Sequence, residues 1–318
     1  MPPNPIEIDE VTRVFDPAGR RLVALDHVSF EVGPGEIVGL LGGNGAGKTT
    51  LTKILSTLLL PTSGTARVLG VDVVRDPRGA RRGQSVVLGG DRGLYGQLTA
   101  RDNLRFFGML AGLSRRDLNA RLAPSLDEVG LGDVADRKVS TFSKGMRQRL
   151  HIAIGLIARP RVLLLDEPTV GLDPVEANRL RTSIADLRQH GISVLLTSHY
   201  LLDVEVLADR LVMLQQGRVT HEMTVAEFTA AAGYAAMVVV RGRGPAPTLS
   251  GVDSADGSPV EIESVDGGWV ASIRVREWSA QAFADLSSRL VGAQIDGVDV
   301  KPARLEDAFA RLQHEVVK

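Results

Sequence analysis

A glycine-rich segment between an apolar run at 36–41 and a helical run carries the strongest chemical signal in the chain. It fits the pattern G-x-x-x-x-G-K-[ST], with the residues Gly42, Gly43, Asn44, Gly45, Ala46, Gly47, Lys48 and Thr49, followed by Thr50. Glycines let successive backbone N–H groups turn toward phosphates, and the following helix N-terminus adds positive potential. The pattern assigns Lys48 to the β- and γ-phosphates and the Thr49 hydroxyl to Mg²⁺. A glycine-rich turn with a chance Lys-Thr pair is the alternative, but the flanking strand and helix favour a nucleoside triphosphate site.

Two adjacent carboxylates, Asp166 and Glu167, follow the apolar run at 162–165. They stand at the carboxyl end of a predicted buried strand, which is where α/β sheets bind ligands. Asp166 suits Mg²⁺ ligation, directly or in the second shell of the metal, and Glu167 is placed to polarise the water that attacks a γ-phosphate. On its own, an acidic pair at a strand end is more often a solvated turn. The glycine loop favours the catalytic interpretation.

A third segment, at 142–149, begins a helical run and contains Ser143 and Gly145, with Ser143 lying 23 residues before Asp166. Ser143 is a candidate N-cap, and Gly145 lets a ligand approach the first helical turn, so this is a second candidate anion site. In isolation, a simple helix cap would be the alternative. Together with the glycine loop and the carboxylate pair, the segment resembles the signature sequence of ATP-binding subunits of the ABC transporter family. Its Phe-Ser-Lys-Gly-Met form is similar to the variant in the drug- and antibiotic-export subfamily.

The resemblance implies roles for three further positions. His199 follows the apolar run at 193–197 and is similar to the family's switch histidine, which contacts the γ-phosphate and joins Glu167 as a catalytic residue. The segment 171–173 resembles the loop that passes between the two sites of a dimer. Phe15 resembles the aromatic residue that stacks on adenine, with packing in the core as the alternative. We expect the nearby Arg13 to be solvated.

One position departs from the family pattern. Where most relatives carry a glutamine before a helical insertion, alignment on 94–95 places Gly90. Gln84 lies six residues earlier and is not a substitute. We therefore expect weaker metal ligation and coupling at this loop. Asp91 is either a replacement oxygen ligand for Mg²⁺ or a surface charge paired with Arg92 or another base.

The pattern of apolar runs predicts an α/β fold. Strand-like runs at 6–15 and 28–32 precede the glycine loop, residues 95–139 read as helix only, and alternating runs at 235–240, 260–265 and 269–275 surround a loop at 242–258. With the resemblance, we predict a P-loop ATPase core with an N-terminal antiparallel β subdomain, a helical insertion and a small C-terminal α+β domain. The predicted domains are 1–222, with the insertion at about 95–160, and 223–318. The helix predicted at 305–312 resembles the closing helix of drug and sodium exporters.

Composition limits the remaining possibilities. The 318 residues include 37 basic and 38 acidic side chains, and the segment 223–318 has 9 and 13, so the chain has no electrostatic pull toward nucleic acid. There is no cysteine, which excludes thiol chemistry and fits a reducing compartment. The N-terminus lacks signal-peptide character, and the most apolar charge-free stretch, 229–240, is too short to span a bilayer.

The resemblance implies an ATP-hydrolysing subunit that uses ATP and Mg²⁺. Because the chain has two candidate anion-binding helix starts but one glycine loop, a second copy is needed if both serve one nucleotide. We expect the subunit to be cytoplasmic, on the inner face of the cell membrane through a separate permease that exports a drug, antibiotic or other small molecule. The alternatives are a non-transport ABC ATPase and a regulatory nucleotide binder without turnover. The residues specify neither the cargo nor the role of the C-terminal domain.

Overall fold

The computed structural model describes residues 3–16, 19–88, 93–247, 254–255, 260–265 and 267–316. The chain divides into two compact units, the first ending at Met223 and the second beginning at Thr224. Strands of the first unit are, in chain order, β1 Ile6–Phe15, β2 Leu22–Val32, β3 Ile37–Leu41, β4 Ser63–Val68, β5 Val71–Asp72, β6 Gln84–Leu88, β7 Val162–Asp166, β8 Ser193–Ser198, β9 Arg210–Gln215 and β10 Arg218–Thr224. Its helices are α1 Lys48–Leu55, α2 Pro77–Ala80, α3 Ala100–Leu110, α4 Arg115–Glu128, α5 Lys144–Leu156, α6 Pro174–Ala185 and α7 Leu201–Leu207.

The main sheet of the first unit has the strand order β10-β9-β3-β8-β7-β6. Its central strands β3, β8 and β7 pair in parallel and are buried along their whole length. Continuous apolar runs are typical of such strands, because helices cover both faces of a parallel sheet. The carboxyl ends of β3, β8 and β7 therefore lie side by side at one edge, where Leu41, Ser198 and Asp166 end them.

A second, antiparallel sheet has the order β2-β1-β4-β5. Its apolar side chains, among them Ile6, Ile8 and Val11, join the core that includes β3 and α1. Strand β2 begins at Leu22, six residues before the predicted start at Val28. The added residues begin with four consecutive apolar side chains rather than an alternation, and backbone pairing places Leu22 opposite Phe15.

Helices α3, α4 and α5 form the helical segment between β6 and β7. Each begins at a side-chain cap, where Thr99, Ser114 or Ser143 accepts a hydrogen bond from a backbone N–H of the first turn. Their apolar faces pack on the sheet through residues such as Leu104 and Leu126. None of the helices in the described part of the chain has the length and apolar character to cross a bilayer.

The second unit combines strands and helices. Its strands are β11 Ala236–Arg243, β12 Glu261–Val265, β13 Gly268–Val275 and β14 Gln294–Pro302, and its helices are α8 Val225–Ala230, α9 Ala280–Arg289 and α10 Leu305–Val316. The strands pair antiparallel in the order β12-β13-β11-β14 around a core that includes Val240 and Trp269. The sequence pattern missed β14, because this edge strand is exposed on both faces and carries no clear alternation. Most of the loop at 242–258 lies outside the described residues.

Candidate active site

The glycine loop connects β3 to α1 and is shaped by two close backbone approaches. Gly47 has φ +111°, and a Cβ there would lie 2.5 Å from the carbonyl oxygen of Ala24, so only glycine fits. A Cβ on Gly42 would meet the carbonyl oxygen of Leu214 at 2.4 Å. The Lys48 side chain is 5% exposed, and its Nζ donates to the carbonyl oxygens of Gly42 at 2.7 Å and Gly43 at 3.2 Å. The loop thus encloses a buried ammonium, as a phosphate cradle requires.

Asp166 lies next to the glycine loop at the end of β7. Its Oδ1 accepts a hydrogen bond from Thr197 Oγ1 at 2.5 Å, and its Oδ2 accepts one from Thr49 Oγ1 at 3.1 Å. A carboxylate and a hydroxyl in this position are hard oxygen donors that suit Mg²⁺. No group of three or more acidic or histidine ligands occurs among the described residues.

Glu167 has a left-handed backbone conformation, and its carboxylate lies between the side chains of Lys48 and His199. Its φ is +50°, and its backbone N–H donates to the carbonyl oxygen of Thr197 at 3.0 Å and to Thr197 Oγ1 at 3.1 Å. Its Oε1 lies 3.8 Å from Lys48 Nζ, and its Oε2 lies 2.9 Å from His199 Nδ1. Non-glycine residues in the left-handed region tend to mark functional sites. The structure therefore brings Glu167 to the lysine of the glycine loop and His199 to Glu167, so the two predicted catalytic residues meet.

One cavity of about 270 Å³ is lined both by Phe15, the predicted adenine contact, and by the glycine loop, the predicted phosphate site. Its lining comprises Phe15, Leu22, Ala24, Asn44, Gly45, Ala46, Gly47, Lys48, Thr49, Thr50 and Glu167. A larger cavity of about 590 Å³ lies beside α4 and α5, but the glycine loop and the acidic pair are absent from its described lining. We place the site in the smaller cavity on chemical grounds.

Phe15 is half-buried and lines this cavity, rather than being enclosed in the core. The guanidinium of Arg13 lies 4.5 Å from the centre of its ring, and Arg13 Nη1 donates to the carbonyl oxygen of Leu60 at 3.1 Å. Arg13 is half-buried, so it is partly solvated as expected, but it also contacts the Phe15 ring. A strand places residues i and i+2 on the same face, which brings the guanidinium over the ring.

The signature segment stands apart from this cavity. Ser143 caps α5 by accepting a hydrogen bond from the Met146 N–H at 3.1 Å, and neither Ser143 nor Gly145 is among the cavity's described lining residues. Gly145 is buried, and a Cβ there would lie 2.5 Å from Glu176 Oε2. That carboxylate also pairs with Arg149 Nη2 at 3.3 Å. Within one chain, therefore, Gly145 makes room for Glu176, a reason that the sequence did not reveal.

The loop at 171–173 lies against the same helix start. Asp173 caps α6, accepting hydrogen bonds from the N–H groups of Val175 and Glu176 at 3.0 Å each. A Cβ on Gly171 would lie 2.1 Å from Lys144 Nζ, so the first residue of α5 reaches this loop. The start of α5 and the loop thus form one local surface.

The loop before the helical segment departs from the family pattern at the position of the usual glutamine. Gly90 and Asp91 lie outside the described residues. Gln84 is the first residue of β6, and its Nε2 donates to the carbonyl oxygens of Leu55 and Ala80, away from the cavity.

Sequence reasoning missed Thr197, whose hydroxyl contacts both members of the acidic pair. Its position at the polar end of an apolar strand, opposite Asp166 in the sheet register, was the available signal.

Comparisons with known proteins identify the family of the chain. The family model described as ABC transporter matches residues 25–170. The ABC transporter ATP-binding protein NatA of Bacillus subtilis is 38% identical over 216 residues, which cover 68% of this chain and 88% of that protein. The chain belongs to the ABC transporter family. The daunorubicin resistance ATP-binding protein DrrA2 of Streptomyces coeruleorubidus is 37% identical over 295 residues, covering 91% of this ABC protein and 90% of the relative.

Other comparisons define how far the similarity extends. The doxorubicin resistance ATP-binding protein DrrA of Mycobacterium tuberculosis is 43% identical over 213 residues, and the match covers 67% of this chain but only 64% of the length of that relative. A solved ATP-binding subunit of an ABC transporter superposes with a TM-score of 0.62 at 31% identity, covering 71% of this chain and 92% of the other. The predicted family and the predicted fold class of this ABC protein are confirmed.

Proposed function

We propose that the chain hydrolyses ATP and powers a separate membrane permease that exports a drug, antibiotic or other small molecule. The observation that carries this proposal is the position of Glu167, with one carboxylate oxygen 3.8 Å from Lys48 Nζ and the other 2.9 Å from His199 Nδ1. A water-polarising carboxylate beside the phosphate-binding lysine is the arrangement that hydrolysis requires. The resistance proteins among the relatives support a drug-like cargo.

The residues of the cavity divide the work on ATP between them. Phe15 stacks on the base, and the loop N–H groups with Lys48 bind the phosphates. Glu167 orients the attacking water, and the Glu167–His199 contact fixes the direction of its carboxylate while the imidazole faces the terminal phosphate. Thr49 and Asp166 would hold Mg²⁺, which neutralises charge on the β- and γ-phosphates when it is bound.

We further propose that a second copy of the chain completes each site. Ser143 and Gly145 form a helix start apart from the cavity of their own chain, and a helix N-terminus attracts anions. Two copies arranged head to tail would let this helix start of one chain cap the terminal phosphate held by the other. A solved bacterial ABC transporter cassette, 25% identical with a TM-score of 0.62, covering 69% of this chain and 98% of the other, is dimeric, which supports this arrangement.

The permease, in this proposal, docks beside the helical segment. A groove of about 680 Å³ lies between the end of α3 and the region around α2. Its rim includes the exposed apolar side chains of Leu58 and Leu110, together with the arginines Arg78, Arg81 and Arg82. Exposed apolar surface beside charged residues is typical of a protein-binding site. Docking there would hold the subunit on the inner face of the cell membrane.

Purification from the native membrane tests the transporter assignment. Affinity-tagged chain, extracted with detergent in the presence of ATP, should bring with it a membrane protein with several spanning helices. Leu110→Glu should abolish this recovery, because it places a charge at an apolar contact, whereas the matched change Val291→Glu at an exposed position of the second unit should not. Recovery of wild-type chain with no membrane protein, although the purified chain releases phosphate from ATP, would contradict the transporter function and leave an ATPase of another kind.

A further inference from the structure

Asp203, on α7, is a fully buried carboxylate outside the nucleotide cavity. Its Oδ1 accepts hydrogen bonds from Arg181, with Nε at 2.7 Å and Nη2 at 2.7 Å. Its Oδ2 accepts hydrogen bonds from Thr169 Oγ1 at 2.5 Å and Ser198 Oγ at 2.8 Å. Both carboxylate oxygens are therefore fully engaged, and each partner comes from a different part of the chain.

The three partners stand next to the parts of the site that act on ATP. Thr169 lies two residues after Glu167, and Ser198 immediately precedes His199. The Ser198 hydroxyl also accepts a hydrogen bond from the Tyr200 N–H at 2.9 Å, so it fixes the chain on both sides of His199. Arg181 lies on α6, the helix that follows the loop at 171–173.

Stability alone gives little reason for such a group. Burial of a charged pair removes its hydration, and well-packed apolar side chains of similar volume often stabilise a protein as much or more. What apolar side chains cannot do is fix the relative positions of three segments through directional hydrogen bonds. The segments joined here carry the two predicted catalytic side chains, which meet at 2.9 Å.

We propose that Asp203 is a positioning residue for ATP hydrolysis, which joins the segments of Glu167 and His199 so that their side chains meet at the terminal phosphate. This inference rests on the proposed hydrolysis of ATP. It explains how Glu167 keeps its left-handed backbone conformation, since Thr169 is anchored two residues away. Asp203 has no contact with the cavity and is not itself a catalytic residue.

Asp203→Asn tests the proposal with a side chain of nearly the same shape. The amide leaves the Arg181 charge without its partner and replaces one acceptor by a donor, so the two segments lose their fixed spacing. We expect kcat to fall by about 10- to 100-fold, the loss that follows a misplacement of roughly 1 Å at a catalytic group. KM for ATP should stay unchanged, because the glycine loop and Phe15 are untouched. A rise in KM for ATP with an unchanged kcat would overturn the proposal.

A control and a compensating variant separate positioning from stability. Glu36→Gln breaks a different ion pair, which is only partly buried, with Arg210 Nε at 2.9 Å at the opposite end of the sheet. It should lower thermal stability without lowering kcat. Arg181→Met with Asp203→Leu removes both buried charges and should restore thermal stability lost in Asp203→Asn. If kcat stays low in that stable double variant, Asp203 acts by positioning. If kcat recovers together with stability, the pair is only structural and the proposal is wrong.

Two further measurements complete the test. In a His199→Ala background, Asp203→Asn should add little to the loss of kcat, because residues that act through one another are not additive. Independent, multiplicative losses would overturn the proposal.

If the wild-type chain releases no phosphate from ATP, the proposed function fails, and the inference is then decided by NMR. The nitrogen chemical shift of His199 Nδ1 should move toward that of a solvated imidazole in Asp203→Asn, and an unmoved signal would refute the positioning role.

Discussion

The two units of the chain differ in which side chains they bury. In the first unit, charged and hydroxyl side chains are buried around the carboxyl edge of the main sheet, including Lys48, Asp166, Thr197 and Asp203. In the described part of the second unit, Ser254 is the one buried side chain that is charged, hydroxyl-bearing or amide-bearing, leaving aside the tyrosine hydroxyl. The core there consists of aliphatic side chains around Trp269.

This difference separates residues that act on a ligand from residues that maintain a fold. Burial of a polar group is unfavourable unless it is hydrogen-bonded, so a cluster of buried polar side chains contributes little to the stability of a fold. Where they gather at the ends of adjacent parallel strands, they form a site. Substitutions at the carboxyl edge of the first unit should therefore change ATP turnover, and substitutions in the core of the second unit should change stability.

Glu167→Gln should have the largest effect on turnover. It removes the carboxylate that polarises water but keeps its shape, so we expect kcat to fall by roughly 10²- to 10⁴-fold, the usual contribution of a general base. Phosphate release measures the rate, and size-exclusion chromatography with ATP should show a trapped dimer. Turnover at the wild-type rate would contradict the role of Glu167.

A mixture of two inactive variants should regain activity. Lys48→Ala removes the phosphate-binding ammonium, and Ser143→Arg blocks the helix start that caps the partner's nucleotide, so each should be nearly inactive alone. If subunits mix at random, about half of the dimers are heterodimers with one intact composite site. Phosphate release should then rise above that of either variant. No rise, with heterodimers demonstrated by differential tagging, would refute the shared site.

Much of the site followed from the sequence because its motifs are local. The glycine loop, the acidic pair and His199 each stand at the end of an apolar strand, and parallel strands bring such ends together. The main strands followed from their apolar runs, whereas the antiparallel arrangement of the N-terminal strands followed from the family resemblance. The domain limits and the roles of individual site residues stay predictions.

Features that depend on contacts between distant segments could not be predicted. The space at Gly145 is occupied by Glu176, which lies 31 residues later on another helix. Asp203 reads as an ordinary acidic residue of an amphipathic helix, and only the fold shows that its three partners converge on it. Strand β14 depends on its pairing with β11, since its own residues are exposed and interrupted by Gly297.

Thr197→Val should have an intermediate effect on turnover. Valine keeps the shape of the side chain but removes the hydroxyl that donates to Asp166 at 2.5 Å and accepts from the Glu167 N–H. Loss of a buried partner is worth about 1–3 kcal/mol, so kcat should fall by roughly 10- to 100-fold. Ser193→Ala, at the other end of the same strand, removes a hydroxyl bonded to Gly33 and should leave kcat unchanged. Equal losses of kcat in both variants would show that any lost hydroxyl on β8 slows turnover, and would contradict a specific role for Thr197.

Phe15→Ala should weaken ATP binding without slowing hydrolysis. Base stacking contributes about 1–3 kcal/mol, which predicts a rise in KM of roughly 10- to 100-fold. Arg13→Gln removes the cation above the ring and should raise KM less, by about 2- to 5-fold, because an exposed cation–π contact contributes about 0.5–1 kcal/mol. Phe15→Trp keeps an aromatic face and should bind nearly as well. An unchanged KM in Phe15→Ala would make this ring a packing residue only.

Val240→Ala should leave turnover unchanged while it weakens the second unit. Val240 is fully buried, so removal of two methyl groups and the resulting cavity should lower the stability of this unit by about 2 kcal/mol. Both tryptophans of the chain, Trp269 and Trp278, lie in the second unit, so tryptophan fluorescence during urea unfolding reports on this unit selectively. The matched change Val291→Ala, at a side chain that is 83% exposed, should shift the transition little. If Val240→Ala lowered kcat as well, the core of the second unit would contribute to catalysis. The first unit could then not be the only one of the two whose substitutions change ATP turnover.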